Sequence, residues 1–514
     1  MNEWVQLGHQ RRVDPLGGSM RISEHYGLNR NQGTLDFVDV DIVEDVPVYI
    51  DPSTIRHLSD DWGLECIRML TTFFDSVLDA VKSNDKTRST YLLGNLGEPN
   101  ETHLGLSKGE SRGRGFGRWM SEEFAAKLAQ SQAAKTGLIE DLEDTAFFID
   151  RVGKDVISDV TTNIIRGQLI AYTHQMCVAL GIPLISDIES GSVWNPQSLK
   201  WENGLTDLPL ANGKKLLLVP KAIVRRDLHL SQSDYYRNHL VPTLQAEEEA
   251  DPRSKLVTVL KSGKRKVYRK EIEERYGSAK PDVRRETLKR TSVYRNFKDI
   301  KSQVPPEPLS HSDLSEAVKT PPPDYEALLR DVLDTPTGNA EANNYHARVE
   351  ALFTALFYPS LIMPEMEHEI HQGRKRIDIT YTNNAQAGFF AFLIRHKIPA
   401  QQIFVECKNY GHEVKNPELD QLSSRFSPLR GKFGILACRS FKDKDRFLNR
   451  CRDTALDRRG FVVALDDADM SRLVDDAVGA LNWTPPATPP KQPQVPPRVD
   501  DYALLHERYR LLIS

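Results

Sequence analysis

An acid and a base share one side of an otherwise apolar strand in the C-terminal part of this 514-residue chain. The segment QIFVECKNY (402–410) has the composition of a buried strand, and residues two apart on a strand point to the same face. Glu406 and Lys408 therefore project together, whereas Val405 and Cys407 project with the apolar neighbours. Because a buried charge is costly without compensation, the pattern predicts that a divalent cation binds at this face.

Helical and strand patterns alternate around this strand. The sequence predicts a helix in YHARVEALFTALFY, a hairpin in EMEHEIHQGRKRIDITY with its turn at Gly373, and an inserted helix in AGFFAFLIRHKI. After the strand 402–410 it predicts a helix in PELDQLSSRF, a strand in FGILAC, a helix in DKDRFLNRCRDTALDRR, a strand in FVVALDD and a last helix. Such alternation is typical of a mixed sheet with helices on both faces. Within the hairpin, Asp378 is a lone carboxylate between two isoleucines.

Asp378 in RIDIT and Glu406-Cys407-Lys408 in FVECK resemble the PD-(D/E)xK nuclease superfamily, which has the restriction-endonuclease-like fold. The pattern of that superfamily is an acid after a hairpin turn and an acid-x-lysine on the next strand. Many members add an acid on the preceding helix and a glutamine on the following one. Glu350 in ARVEALF and Gln421 in LDQLSSRF stand at those places, and the resemblance covers residues 343–467.

The resemblance implies an endonuclease that hydrolyses DNA phosphodiester bonds with Mg²⁺, for which Mn²⁺ can substitute. Asp378, Glu406 and Glu350 would hold the metal. Lys408 would orient or activate the attacking water and stabilise charge on the phosphorus, and Gln421 would position the nucleophile or a phosphate. Structural alternatives stay open: a helix-surface Glu or Gln is usually solvated, and the strand pair could be an ion pair on an edge strand.

The rest of the chain divides by composition. Residues 1–245 are predicted to form an α/β domain that senses, recognises or regulates, with a strand in LDFVDVDIVEDVPVYIDP (35–52) followed by two helical segments. Residues 246–323 are predicted to be a basic connector that ends in a proline-rich linker. The nuclease domain would span 324–482, and 483–514 would be a second proline-rich linker with a C-terminal docking helix.

Charge and hydropathy indicate the partners and the compartment. The net charge is −4, yet residues 253–301 contain 17 Lys/Arg against 6 Asp/Glu. Basic clusters bind polyanions by releasing condensed counterions, which makes DNA the expected partner. No apolar run approaches the roughly 18 residues that span a bilayer, and the N-terminus lacks the apolar core of a secretory signal. We therefore expect a cytoplasmic protein without a membrane partner.

Prokaryotic restriction or anti-phage defence is the expected setting, by analogy with nucleases joined to a recognition domain. A structure-selective nuclease for repair or recombination is an open alternative, as is a non-catalytic module that binds nucleic acid. RNA also stays open as the substrate. The sequence equally allows a homo-oligomer, or a partner protein that contacts the N-terminal domain.

Overall fold

The computed structural model describes residues 19–105, 118–135, 137–370, 375–482 and 501–514. Buried apolar side chains in these residues form two clusters, one mainly from residues 22–318 and one from residues 325–512. We call the described residues up to 318 the N-terminal module and those from 325 onward the C-terminal module. The predicted mixed α/β class is confirmed. None of the described helices is both long and apolar enough to cross a membrane.

The N-terminal module is mainly helical. Its helices are α1 (Ile22–Tyr26), α2 (Pro52–Ile55), α3 (Asp61–Lys82), α4 (Lys86–Leu93), α5 (Arg118–Gln130), α6 (Gln132–Lys135), α7 (Thr145–Phe148), α8 (Lys154–Ile164), α9 (Arg166–Leu180), α10 (Gln232–Tyr235), α11 (Val241–Ala250), α12 (Arg269–Tyr276), α13 (Lys280–Lys289), α14 (Thr291–Gln303) and α15 (His311–Val318). Its strands are β1 (Tyr49–Ile50), β2 (Ile185–Glu189), β3 (Val193–Asn195), β4 (Lys200–Glu202), β5 (Leu205–Leu208), β6 (Leu210–Ala211), β7 (Lys214–Lys215), β8 (Val224–Arg225), β9 (Thr258–Val259) and β10 (Arg265–Lys266). These strands form antiparallel pairs: β1 with β8, β2 with β5, β3 with β4, β6 with β7 and β9 with β10.

The strand predicted over residues 35–52 is wrong except for the two residues of β1. Both faces of this segment are covered, and the buried Asp39 accepts hydrogen bonds from the backbone N–H (2.9 Å) and the hydroxyl (2.6 Å) of Ser23. The backbone bonds of this segment go to several separate parts of the chain; Val38, for example, donates to the carbonyl of Val219 at 3.0 Å. Alternating hydropathy alone could not reveal that both faces are covered.

The two long helical segments predicted for the N-terminal half are present. WGLECIRMLTTFFDSVLDAVKS lies in α3, whose N-terminus is capped by the Asp60 carboxylate, which accepts the Gly63 N–H at 2.7 Å. ISDVTTNIIRGQLIAYTHQMCVAL spans α8 and α9, which meet at Ile165. These segments supply many of the buried apolar side chains of the N-terminal module.

Residues 246–323, predicted to be a basic connector and linker, pack into the core of the N-terminal module. Tyr294 is fully buried, and its hydroxyl donates to Asp144 at 2.7 Å. Lys298 lies 2.9 Å from the same carboxylate. Other basic residues of the segment pair similarly: Arg275 with Glu248, Arg290 with Glu247, and Lys301 with Asp234. Part of the positive surplus is therefore neutralised within the module, and DNA binding by this segment stays a prediction.

The C-terminal module contains one five-stranded sheet with helices around it. Its elements are α16 (Tyr325–Leu333), α17 (Ala342–Phe357), β11 (Leu361–Ile370), β12 (Lys375–Asn383), α18 (Gly388–Arg395), β13 (Gln402–Lys408), α19 (Asn416–Ser423), β14 (Phe433–Cys438), α20 (Lys444–Leu456), β15 (Phe461–Leu465), α21 (Asp467–Leu481) and α22 (Ala503–Ile513). The strands lie in the order β11-β12-β13-β14-β15; the first three are antiparallel and the last three parallel. The predicted order of helices and strands is confirmed. The predicted turn at Gly373 lies outside the described residues, as does the proline-rich segment 483–500.

Strand β13 is the middle strand of this sheet. Ile403, Phe404 and Val405 are fully buried, and each such side chain contributes about 1.5–3 kcal/mol to folding. The predicted C-terminal helix α22 packs against α20 and β15. Arg508 on α22 forms a buried ion pair of 2.7 Å with Asp469 at the start of α21. Because consecutive residues of a strand point to opposite faces, the burial of Ile403, Phe404 and Val405 means that both faces of the sheet are covered at β13.

Candidate functional site

Asp378 on β12 lies near Glu406 on β13, close enough for its charge to act on that carboxyl group. The antiparallel pairing of the two strands ends at Ile379 and Val405; Asp378 and Glu406 are the next residues beyond that pair, and both point to the other side of the sheet. The Asp378 carboxylate also accepts the backbone N–H of Cys407 at 2.8 Å. The structure therefore brings together two carboxylates that the sequence separates by an inserted helix.

Glu406 is fully buried between two cations. Its Oε1 lies 2.7 Å from Lys408 Nζ, and its Oε2 contacts the guanidinium of Arg425. Burial, followed by the nearby charge of Asp378, raises the pKa of Glu406 above its ordinary value. Burial acts to lower the pKa of Lys408, but the two carboxylates outweigh it, so the net shift of that pKa is upward. Lys408 is therefore protonated at neutral pH and can donate to an anion.

The connection after β13 brings an arginine to the site. Gln421, for which the resemblance implies a role in positioning the nucleophile or a phosphate, has an exposed side chain on α19. Arg425, two residues beyond the end of α19, is buried against Glu406. The role proposed for Gln421 stays a prediction, and Arg425 is a site residue that the sequence reasoning missed.

Helix α17 brings His346 to the same two strands. The sequence analysis did not predict His346 as a site residue. Its Nε2 lies 3.2 Å from the carbonyl oxygen of Cys407 and 3.9 Å from Asp378 Oδ2. A nitrogen that faces a carbonyl oxygen carries the proton, which makes Nε2 the donor. His346 thus connects α17 to β13 at the residue between Glu406 and Lys408.

Glu350, four residues further along α17, contacts the N-terminal module instead. Its Oε2 lies 2.6 Å from Arg30 Nη2, and its Oε1 accepts the hydroxyl of Thr354 at 2.7 Å. The Glu350 side chain is 8% exposed. Both of its oxygens are therefore engaged, and its predicted role as a metal ligand stays a prediction.

The donor set fits a divalent ion held by two carboxylates. Among the residues that the structure describes, no three His, Cys, Asp or Glu side chains converge to hold an ion. Mg²⁺ is commonly bound by only one or two carboxylates, with water and substrate phosphates completing its shell, and Asp378 and Glu406 can supply that number. Their two negative charges are balanced by Lys408 and Arg425. A bound divalent ion would therefore give the cluster a net positive charge, which favours an anionic substrate.

A second acidic site lies in a cavity of about 320 Å³ in the N-terminal module, lined by Asp45, Glu98, Asp155 and Asp159 among others. Burial, followed by the charges of the other three acids, raises the pKa of Asp159 from 3.8 to about 8. The carboxyl group of Asp159 is thus protonated near neutral pH in the folded protein.

Asp159→Asn is expected to stabilise the protein increasingly as the pH rises from about 5 to 8. The unfolded Asp titrates near pH ~3.9, so the folded state holds a proton that the unfolded state lacks, and this contribution is lost as the pH rises through the folded-state pKa. We expect a change on the order of 2 kcal/mol, because the group is only partly shielded from water. Urea unfolding at several pH values measures it, with exposed Asp75→Asn as the control. Parallel stability curves for the wild type and Asp159→Asn would contradict the shift.

Comparison with known protein families gives a match in the N-terminal module. The model of a family described as "Domain of unknown function (DUF8370)" matches residues 27–231. No curated protein and no solved structure matches the chain. The matched residues lie in the N-terminal module, so the match assigns no chemistry to Asp378, Glu406 or Lys408.

Proposed function

We propose that residues 324–482 form a PD-(D/E)xK domain with the restriction-endonuclease-like fold and hydrolyse DNA phosphodiester bonds with Mg²⁺ or Mn²⁺. The observation that carries the proposal is the placement of Asp378 beside Glu406, with Lys408 two residues along the same strand. The order of helix, hairpin, strand and helix also agrees with the superfamily pattern that the sequence resembles.

Each residue of the cluster has a separate task in this proposal. Asp378 and Glu406 would hold the ion, which when bound supplies positive charge to the phosphodiester and the attacking water. Lys408 donates hydrogen bonds to the phosphate oxygens on which negative charge grows. Because its pKa is raised, Lys408 acts as a charged donor and not as the proton acceptor. The charge of Arg425 acts to lower the pKa of Glu406 against the effect of burial, and its contact fixes the orientation of that carboxyl group.

We further propose that the protein acts in the cytoplasm, in restriction or anti-phage defence. The resemblance supports DNA as the substrate. Contacts of the N-terminal module with α17, described below, support a regulatory role for that module.

Asp378→Asn is expected to lower the cleavage rate by about 10³-fold or more, because an amide cannot replace a charged metal ligand. Supercoiled plasmid is incubated with the full-length protein and Mg²⁺, Mn²⁺ or EDTA, and Asp453→Asn, an exposed acid on α20, is the matched control. Equal cleavage by Asp378→Asn and the wild type would contradict the proposed site.

The choice of substrate separates the alternatives. Linear duplex, branched DNA, single-stranded DNA and RNA are compared under the same conditions. Preference for branched DNA would favour a repair nuclease over a restriction enzyme, and preference for RNA would overturn the DNA assignment. Metal-independent binding with no cleavage of any substrate would favour the non-catalytic module.

A further inference from the structure

We propose that Arg30 of the N-terminal module is a positioning residue for the proposed active centre and acts through helix α17. This inference rests on the proposed nuclease site and adds the means by which the N-terminal module affects it. Arg30 holds one turn of α17. His346, at the start of that turn, contacts Cys407 on β13 and lies near Asp378 on β12.

Arg30 binds α17 at two points. Its Nη2 lies 2.6 Å from Glu350 Oε2 and donates to the carbonyl of Ala347 at 3.2 Å. Its Nη1 donates to the carbonyl of Thr34 in the N-terminal module at 3.3 Å. The guanidinium is planar with fixed donor directions, so binding a side chain and a backbone carbonyl together defines the orientation of the helix.

Further buried charges surround this contact. Asp36 accepts the Tyr172 hydroxyl at 2.8 Å and the backbone N–H of Met363, on β11 of the C-terminal module, at 3.0 Å. Lys221, also fully buried, lies 4.2 Å from the ring centre of Tyr358, which directly follows α17. The protein is strongly destabilised when a buried polar group loses its partner, so such a network strongly favours one arrangement of the interface. The interface therefore fixes where α17 lies relative to the N-terminal module.

The same turn of α17 reaches the proposed catalytic residues. His346 precedes Ala347, the residue whose carbonyl Arg30 binds, and its Nε2 lies 3.2 Å from the carbonyl of Cys407. The N–H of Cys407 donates to Asp378, so both polar backbone groups of this residue are engaged. Glu406 and Lys408 are the two neighbours of Cys407 along the chain. Displacement of α17 would therefore change the positions of both side chains.

Loss of Arg30 is expected to slow catalysis more than it weakens substrate binding. Groups that orient metal ligands from behind typically change activity by about 10–100-fold when they are replaced. Arg30→Gln and His346→Gln should therefore each lower kcat by about 10–100-fold and leave the KM for DNA within about threefold. Arg30→Lys keeps the charge and should recover part of the lost kcat.

Thr382 provides a matched control at the same interface. Its hydroxyl donates to Asp60 of the N-terminal module at 3.0 Å, but Thr382 lies on β12 four residues from Asp378 and pairs with Gln402 at the far end of β13. Thr382→Val therefore breaks a hydrogen bond between the modules other than those that Arg30 makes to α17. If contact between the modules matters only for stability, Thr382→Val and Arg30→Gln should have the same effects.

The experiment has two readouts on the full-length protein. Hydrogen exchange at the Cys407 amide needs no catalysis, and we expect it to be about tenfold faster in Arg30→Gln and His346→Gln than in the wild type or Thr382→Val. In the double variant Arg30→Gln/His346→Gln, the fall in kcat should be smaller than the product of the two single effects.

Unchanged Cys407 exchange in Arg30→Gln would overturn the inference, as would an equal change in Thr382→Val or multiplicative effects on kcat. Faster exchange in a protein that cleaves no nucleic acid would support the positioning by Arg30 and count against the nuclease assignment alone. The two failures are therefore distinguishable.

Discussion

Replacing Lys408 with methionine is expected to lower the rate of Mg²⁺-dependent DNA cleavage by about 10³-fold, the upper range for loss of one donor that stabilises transition-state charge. Lys408 is 11% exposed, and its ammonium group lies 2.7 Å from Glu406. Methionine keeps most of the length and the apolar stem of lysine, so the variant removes the charge and the donors while largely preserving the packing. Single-turnover kinetics at saturating enzyme measures the chemical step apart from binding.

The matched control is Lys415→Met. Lys415 is exposed and immediately precedes α19 in the connection that follows β13, so the same substitution there removes a charge at the surface. It should change the cleavage rate less than about threefold, because exposed charges contribute little to fixed geometry. Thermal melting of each variant separates lost chemistry from lost folding. Cleavage by folded Lys408→Met within twofold of the wild-type rate would contradict the role given to this ammonium.

Periodicity predicts the C-terminal module well because its central strands are buried. In QIFVECKNY the period of two placed Glu406 and Lys408 on one face, and the structure has the two side chains in contact. The hairpin placed Asp378 on a neighbouring strand. Strand register then decides whether the two acids meet, and register depends on pairing across the sheet, which the local pattern does not specify.

The residues that the sequence reasoning missed act through tertiary contacts. Arg425 follows a helix and belongs to no periodic pattern; only the packing of the chain beyond α19 brings it to Glu406. His346 had a detectable signal, since it lies four residues before Glu350 on one helix face. The partner of Glu350 is Arg30, which is 320 positions earlier in the chain, so no local pattern could have indicated it.

Arg425→Met is expected to destabilise the protein by about 3–5 kcal/mol, because removing one partner of a buried ion pair leaves an incompletely compensated charge. Glu406 is fully buried, and the variant leaves it with Lys408 as its remaining cationic contact. Adding Glu406→Gln removes the negative charge as well, so the double variant should recover much of the loss. Urea unfolding at neutral pH measures all three variants.

Arg459→Met is the control for this prediction, since Arg459 pairs with Asp420 on α19 where both side chains are about half exposed. It should cost less than about 1 kcal/mol. The pH gives a second test: the pKa of Glu406 is already raised by burial, and loss of Arg425 raises it further. Protonation then removes the unpaired charge, so the cost of Arg425→Met should be largest at high pH and decrease as the pH falls through that pKa. A cost that is independent of pH, or no larger than that of Arg459→Met, would show that Arg425 does not compensate the Glu406 charge.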